Sequence, residues 1–178
     1  MGSADSAAAD VAGAAPAFAR RATVADVPEI VRLAVVMYLA LEAPPPPPGG
    51  WEGWTAEAEA HLARRLDQDV VVFVVDDPDA PGHLVSCGAG TVWTRLPNAW
   101  YPADPRAGYV QWMSTEPEFR RRGLNRLVLR ALLDWFDAEG IQLVELHASP
   151  MGAPLYRSEG FDEGGGWGVA LRRRRNTG

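Results

Sequence analysis

The sequence predicts an α/β (α+β) fold in which a mixed sheet carries helices on both faces. Three observations carry that reading. β-Branched runs alternate with amphipathic, helix-period segments in the order β-α-α-β-β-β-α-β-α-β. The run Val70–Val75 is apolar throughout, as in a strand covered on both sides. The stretch Glu118–Arg126 leads from a strand-like segment, Tyr109–Thr115, directly into a strongly amphipathic helix.

Each element follows from local chemistry. Phe18–Ala22 reads as a short first strand. Thr23 and Asp26 have the spacing of a capping box, and Val27, Ile30, Leu33, Ala34, Met37 and Leu41 make one apolar helix face. Pro44–Pro48 stops that helix, because proline lacks the N–H a helix needs and favours extended backbone. A second helix is expected over Thr55–Asp67, after the pair Trp51 and Trp54. Strands follow at Val70–Val75 and Leu84–Arg95, separated by an Asp-, Pro- and Gly-rich turn. A loop, 96–106, holds Trp100 and Tyr101. The central strand, Gly108–Thr115, precedes a helix over Gly123–Glu139 that Gly140 ends. A fifth strand is expected over Gln142–Ala148, a short helix within Ser149–Glu159, and a closing strand or hairpin over Phe161–Leu171, interrupted by Gly164–Gly166.

Composition sets the bounds. At 178 residues the chain suits one domain with a sizeable core, expected over 17–172. Residues 1–16 read as a disordered tail and 173–178 as a flexible basic end. No apolar run approaches the ~18 residues that span a membrane. Net charge of −6 argues against generic nucleic-acid binding. The single Cys87 forms no intramolecular disulfide, which fits a cytoplasmic setting. All basic charge is Arg, with no Lys, as in GC-rich bacterial coding sequences.

The turn 118–126 is built to hold an anion. A helix start leaves backbone N–H groups without partners, and the helix dipole adds partial positive charge there. Gly123 allows close approach of a ligand. Three landmarks then resemble the GNAT superfamily of acyl-CoA-dependent N-acetyltransferases. They are Arg120-x-x-Gly123-x-Asn125, similar to that family's pyrophosphate turn; the crossover from helix 123–139 into strand 142–148; and Leu155-Tyr156-Arg157-Ser158-Glu159-Gly160-Phe161, close to its Leu-Tyr-x-x-x-Gly-Phe ending. The resemblance covers roughly residues 18–171. It departs at Asn125, where the family has Gly or Ala, and at Pro150, where many members have Asn.

The resemblance implies a mostly antiparallel, twisted sheet of six to seven strands with a splay between strands four and five. It implies acetyl-CoA as donor and no metal. Backbone N–H groups over Arg120, Arg121, Arg122, Gly123, Leu124, Asn125 and Arg126 would hold the CoA diphosphate. Met113, Ser114 and Thr115 would border the pantetheine slot beside a bulge, an N–H near Met113 would stabilise the oxyanion, and Ser149 would line the donor site. Tyr156 falls at the family position of the general acid. The base is less defined. Tyr109 and Gln111 hold positions where relatives place Glu or His, and His147 is the first candidate, followed by Glu116 and Glu145. Cys87 lies outside the expected site.

The acceptor side is expected in two aromatic-rich loops. Trp51, Trp54 and Trp93, with Tyr109 and Gln111, are the candidate acceptor contacts, joined by Trp100 and Tyr101. Aromatic walls favour a flat or cationic small molecule, and Glu42, Glu52, Glu57 and Asp104 could hold an ammonium group. The implied activity is acetyl transfer to a small primary amine, with a homodimer left open. Alternatives are acetylation of protein N-termini or lysines, and a non-catalytic acyl-CoA or ligand-binding module. A Rossmann nucleotide-binding protein is a weaker alternative still, since the Gly-x-Gly-x-x-Gly turn is missing.

Overall fold

The computed structural model describes residues 17–41, 49–96 and 104–162. The tail 1–16, Glu42 and the proline run, Trp100 and Tyr101, and all but Phe161 and Asp162 of the closing strand lie outside these residues.

A short β1 (Arg20–Arg21) leads through a 3₁₀ turn into α1 (Val27–Ala40). The Thr23–Asp26 box forms this turn: the Asp26 carboxylate accepts from the Thr23 N–H at 2.7 Å and from its hydroxyl at 3.0 Å. Arg20 ties the entry together, donating to Asp26 at 2.8 Å and to Asp76 at 2.6 Å. Then follow α2 (Gly50–Arg65), β2 (Val70–Asp76), β3 (Leu84–Thr94), β4 (Arg106–Thr115), α3 (Leu124–Ala138), β5 (Val144–Leu146) and α4 (Ala153–Ser158).

The strands form one five-stranded sheet in the order β1-β2-β3-β4-β5, antiparallel except for the parallel β4–β5 pair. Side chains alternate across β2, and the two faces make two cores. Val72, Val74, Cys87 and Ala89 pack with Ile30 and Leu33 of α1 and Leu62 of α2. Val71, Val85 and Val110 pack with Val128, Leu132 and Phe136 of α3. The β-branched run is therefore covered on both sides, as its apolar continuity predicts.

Three expectations change. The sheet has five strands among the described residues, against six to seven expected. β5 spans three residues where seven were expected, and its pairing with β4 ends at Val110. α2 starts at Gly50, ahead of Thr55. Gly49, at φ 86°, makes the sharp turn in, and Trp51 and Trp54, three residues apart on one helix face, pack on Tyr38 of α1 at ring distances of 6.0 and 5.4 Å. The Trp pair thus belongs to a helix rather than a loop.

Candidate functional site

The turn before α3 has the form an anion needs. Arg121 and Gly123 both sit at positive φ, 65° and 81°, which coils the backbone so that successive N–H groups point outward. Among the described residues, the N–H groups of Arg121, Arg122, Gly123, Leu124 and Asn125 make no backbone hydrogen bond; the helix ladder begins with Arg126 and Leu127 on the Gly123 carbonyl. Nothing lies within 4 Å of a Cβ added at Gly123, so the turn fronts open space.

The arginine side chains here build the turn. Arg120 Nε donates to the Thr115 carbonyl at 3.1 Å, and Arg122 donates to the Glu118 carbonyl at 2.9 Å while lying 4.8 Å over the Phe119 ring. Arg126 reaches Ser158 at 3.1 Å and Glu159 at 3.2 Å. With Arg130, also on Glu159 at 2.9 Å, it fastens α4 to α3. Asn125 keeps one loose end, a buried Oδ1 with no partner.

A bulge lies at the centre of the sheet. Cys87 pairs with Ser114, but Ala89 pairs with Gln111, so Trp112 and Met113 together oppose Gly88. Trp112 takes φ 53°, a conformation that costs a bulky residue about 1–3 kcal/mol. The Cys87 thiol donates to the Trp112 carbonyl at 3.5 Å. A Cβ at position 88 would stand 2.7 Å from Val128 and run into the Met113 sulfur, so glycine is required opposite the bulge. The bulge sends Met113 to the α3 core and Trp112 to the α1/α2 side. β4 pairs with β5 only from Gly108 to Val110. From Gln111 to Thr115 that edge has no β5 partner, and a splay opens there.

Ser114 and Thr115 are buried beside the splay. Ser86 Oγ donates to the Ser114 carbonyl and meets Thr115 Oγ1, each at 2.8 Å, while Ser114 Oγ has no partner. Tyr156 on α4 is half-buried, with its ring 5.9 Å from Phe161 in an edge-on contact. Burial pushes its phenol above the usual range, and its hydroxyl has no hydrogen-bond partner among the described residues. Ser149 is used locally, its Oγ accepting from Gly152 N–H at 3.1 Å at the start of α4.

His147 is exposed just past β5, its Nδ1 2.6 Å from Tyr109 Oη. A phenolic O–H can donate to an imidazole nitrogen, so this contact joins Tyr109 and His147 as one hydrogen-bonded pair. Both other base candidates are ion-paired, Glu116 with Arg32 and Glu145 with Arg95 at 3.5 Å. Cys87 is fully buried and its thiol is pushed up to about 12 by desolvation.

A cavity of about 360 Å³ opens between α2 and the sheet. α2 contributes Trp54, Glu57, His61 and Arg65; β4 contributes Gln111 and Trp112; Ala58, Leu62, Val70 and Ala89 complete it. Trp54 and Trp112 lie 5.9 Å apart, and Trp51 stands one ring behind, 5.8 Å from Trp54. Of the expected acceptor contacts, the structure brings Trp54 and Gln111 into this cavity. Tyr109 sits two residues away on the same face of β4. Trp93 lies further out along β3, half-exposed, with Arg95 5.4 Å from its ring, and does not line the cavity. Sequence reasoning missed His61, Arg65 and Trp112. The signal for the first two was present: Trp54, Glu57, His61 and Arg65 recur at helical spacing along one side of α2. Trp112 owes its place to the bulge, which no residue pattern announces.

The sequence profile of the GNAT acetyltransferase family matches residues 35–161. The chain belongs to the GNAT family. Solved structures of the same fold include a protein of Clostridium acetobutylicum described as a predicted acetyltransferase and crystallised with acetyl-CoA. It is 20% identical, with a TM-score of 0.75, covering 88% of this chain and 96% of its own. A GCN5-related N-acetyltransferase of Ralstonia eutropha is also 20% identical, at 0.74, covering 88% and 99%. An aminoglycoside N-acetyltransferase in complex with CoA is 16% identical, at 0.67, covering 93% and 99%. No curated protein sequence matches the chain. The GNAT assignment agrees with the bulge, splay and turn described above, which are backbone features.

Proposed function

We propose that this GNAT chain is an acetyl-CoA-dependent N-acetyltransferase that acts on a primary amine of a small molecule by direct attack in a ternary complex. The carrying observation is the meeting of two spaces at Gln111 and Trp112: the splay beside β4 and the cavity under α2. The residues of the turn fit a CoA diphosphate, with outward N–H groups at a helix start before open space. When bound, acetyl-CoA supplies an activated thioester. The free β4 edge would align the pantetheine arm strand-fashion, and an N–H near Met113 would stabilise charge on the carbonyl oxygen.

Two proton transfers remain. The amine must lose a proton as its nitrogen bonds to the acetyl carbon. Tyr109 would accept it while passing its own proton to His147 Nδ1, along the 2.6 Å contact. As the carbon–sulfur bond breaks, Tyr156 would give its proton to the departing sulfur; its raised pKa keeps the phenol protonated. Water then returns both groups to their starting states. Direct transfer needs no enzyme nucleophile, and the buried Cys87 is unsuited to be one.

The cavity favours a small acceptor over a protein one. A volume of about 360 Å³ between α2 and the sheet is the size of a small-molecule site. The likeness to an aminoglycoside N-acetyltransferase is consistent with an amine acceptor. Purified protein given acetyl-CoA and a panel of small amines should release CoA thiol with at least one amine and yield the N-acetyl product. Acetyl-CoA binding without thiol release across the panel would favour a non-catalytic binding module.

A further inference from the structure

The cavity under α2 has one charge left over. Arg65 is closed on Asp69, with Nε at 2.9 Å and Nη2 at 2.5 Å, and its Nη1 lies 3.1 Å from His61 Nε2. A guanidinium only donates, so His61 Nε2 accepts from Arg65. Glu57, one turn earlier on the same stripe, has neither an ion pair nor a hydrogen bond among the described residues. Glu57 is therefore the carboxylate of the cavity that has no ion-pair partner, and it lines the same cavity as two indoles in contact with each other, Trp54 and Trp112. Indole faces attract cations and carboxylates bind ammonium groups, so the two features ask for the same ligand.

The position of that carboxylate narrows the choice. Glu57 projects from α2, whereas the transfer reading places the reacting nitrogen at the β4 wall, near Gln111, where β5 leaves the sheet. A nitrogen held by Glu57 is kept as ammonium, which cannot attack a thioester. A second nitrogen has to reach the strand.

We propose that the cavity selects a small diamine, holding one ammonium between Glu57 and the indoles of Trp54 and Trp112 and presenting the other nitrogen at Gln111. The proposal rests on the acetyl-transfer reading. It also accounts for the strained Trp112, whose left-handed backbone brings a second indole to the cavity. An acceptor with a carboxylate or phosphate in place of the second nitrogen would meet Glu57 with like charge.

The test uses a matched series: terminal diaminobutane, butylamine and aminobutyrate. Wild-type protein and Glu57→Gln are compared by acetyl transfer with acetyl-CoA and by calorimetric binding of the amines. For wild type, kcat/KM for diaminobutane should exceed that for butylamine by about tenfold or more, with aminobutyrate poorest. Glu57→Gln should remove about that advantage through the KM for diaminobutane, so that the variant uses diaminobutane and butylamine about equally well. Equal losses of kcat on both amines would make Glu57 the proton acceptor and overturn the proposal, as would preference for aminobutyrate. Calorimetry separates the two readings. Diamine binding that Glu57→Gln abolishes, without thiol release, would sink acetyl transfer and keep the diamine site. Thiol release from butylamine with no preference for the diamine would do the reverse.

Discussion

The proposed donor half and the proposed acceptor half of this molecule are built from different materials. The donor half runs from the β4 edge through the turn to α3, and its functional groups are backbone N–H and C=O, set by positive φ at Arg121 and Gly123 and by a missing β5 partner. The side chains of Arg120 and Arg122 are spent on carbonyls and that of Arg126 on Ser158 and Glu159. The acceptor half, under α2, is made of side chains: two indoles, a carboxylate, an imidazole and an amide. Backbone sites tolerate wide sequence change because any residue supplies an N–H. Side-chain sites change with single substitutions. That difference lets one fold keep its donor while its acceptors diverge.

Substitutions should therefore separate cleanly between the halves. Tyr156→Phe should have the largest effect, lowering kcat by about 10²–10⁴-fold with acetyl-CoA KM within about threefold. Its alkaline limb should also disappear; in the wild type that limb should lie above the ordinary phenol value of ~10, because burial raises the Tyr156 pKa. A comparable rise in acetyl-CoA KM would make Tyr156 a binding residue instead. Next, Gly123→Val forces a β-branched residue into φ 81°. That should weaken acetyl-CoA binding by about tenfold or more, measured by calorimetry, with acceptor KM little changed. Trp54→Ala should do the opposite, raising acceptor KM several-fold and lowering unfolding free energy by about 2–3 kcal/mol in denaturant titration, with acetyl-CoA KM unchanged.

The smallest effect tests the frame rather than either half. Hydrogen bonds from Arg20 hold the Asp26 carboxyl down at about 2. A lowered folded-state pKa contributes stability that is full above the unfolded value, near 3.8, and is lost as pH falls toward 2. Asp26→Asn should flatten unfolding free energy against pH in that window and leave kinetics at neutral pH unchanged.

The contrast also explains what the sequence made legible. Val70–Val75, the α3 stripe and the Arg120–Arg126 turn were readable because their signals are local: period, β-branching and glycine position. The short β5 was not, since a strand exists only where a neighbour pairs with it, and its pairing with β4 stops at Val110, just ahead of the bulge at Trp112–Met113. The shape of the turn could be read from spacing, because glycine position and the helix start set its backbone. The cavity could not, because His61 and Trp112 come together only when α2 lies across β4, a tertiary fact with no local trace. Trp51 illustrates the limit: its aromatic partners Tyr38 and Trp54 are in place, yet it backs the cavity wall instead of lining it.

Direct transfer requires both halves to be filled at once, so initial velocities with acetyl-CoA and amine varied together test the account most directly. Intersecting double-reciprocal lines, with no acetyl group retained on Cys87 after incubation with acetyl-CoA alone, are the predicted result. Parallel lines with an acetylated protein would contradict it.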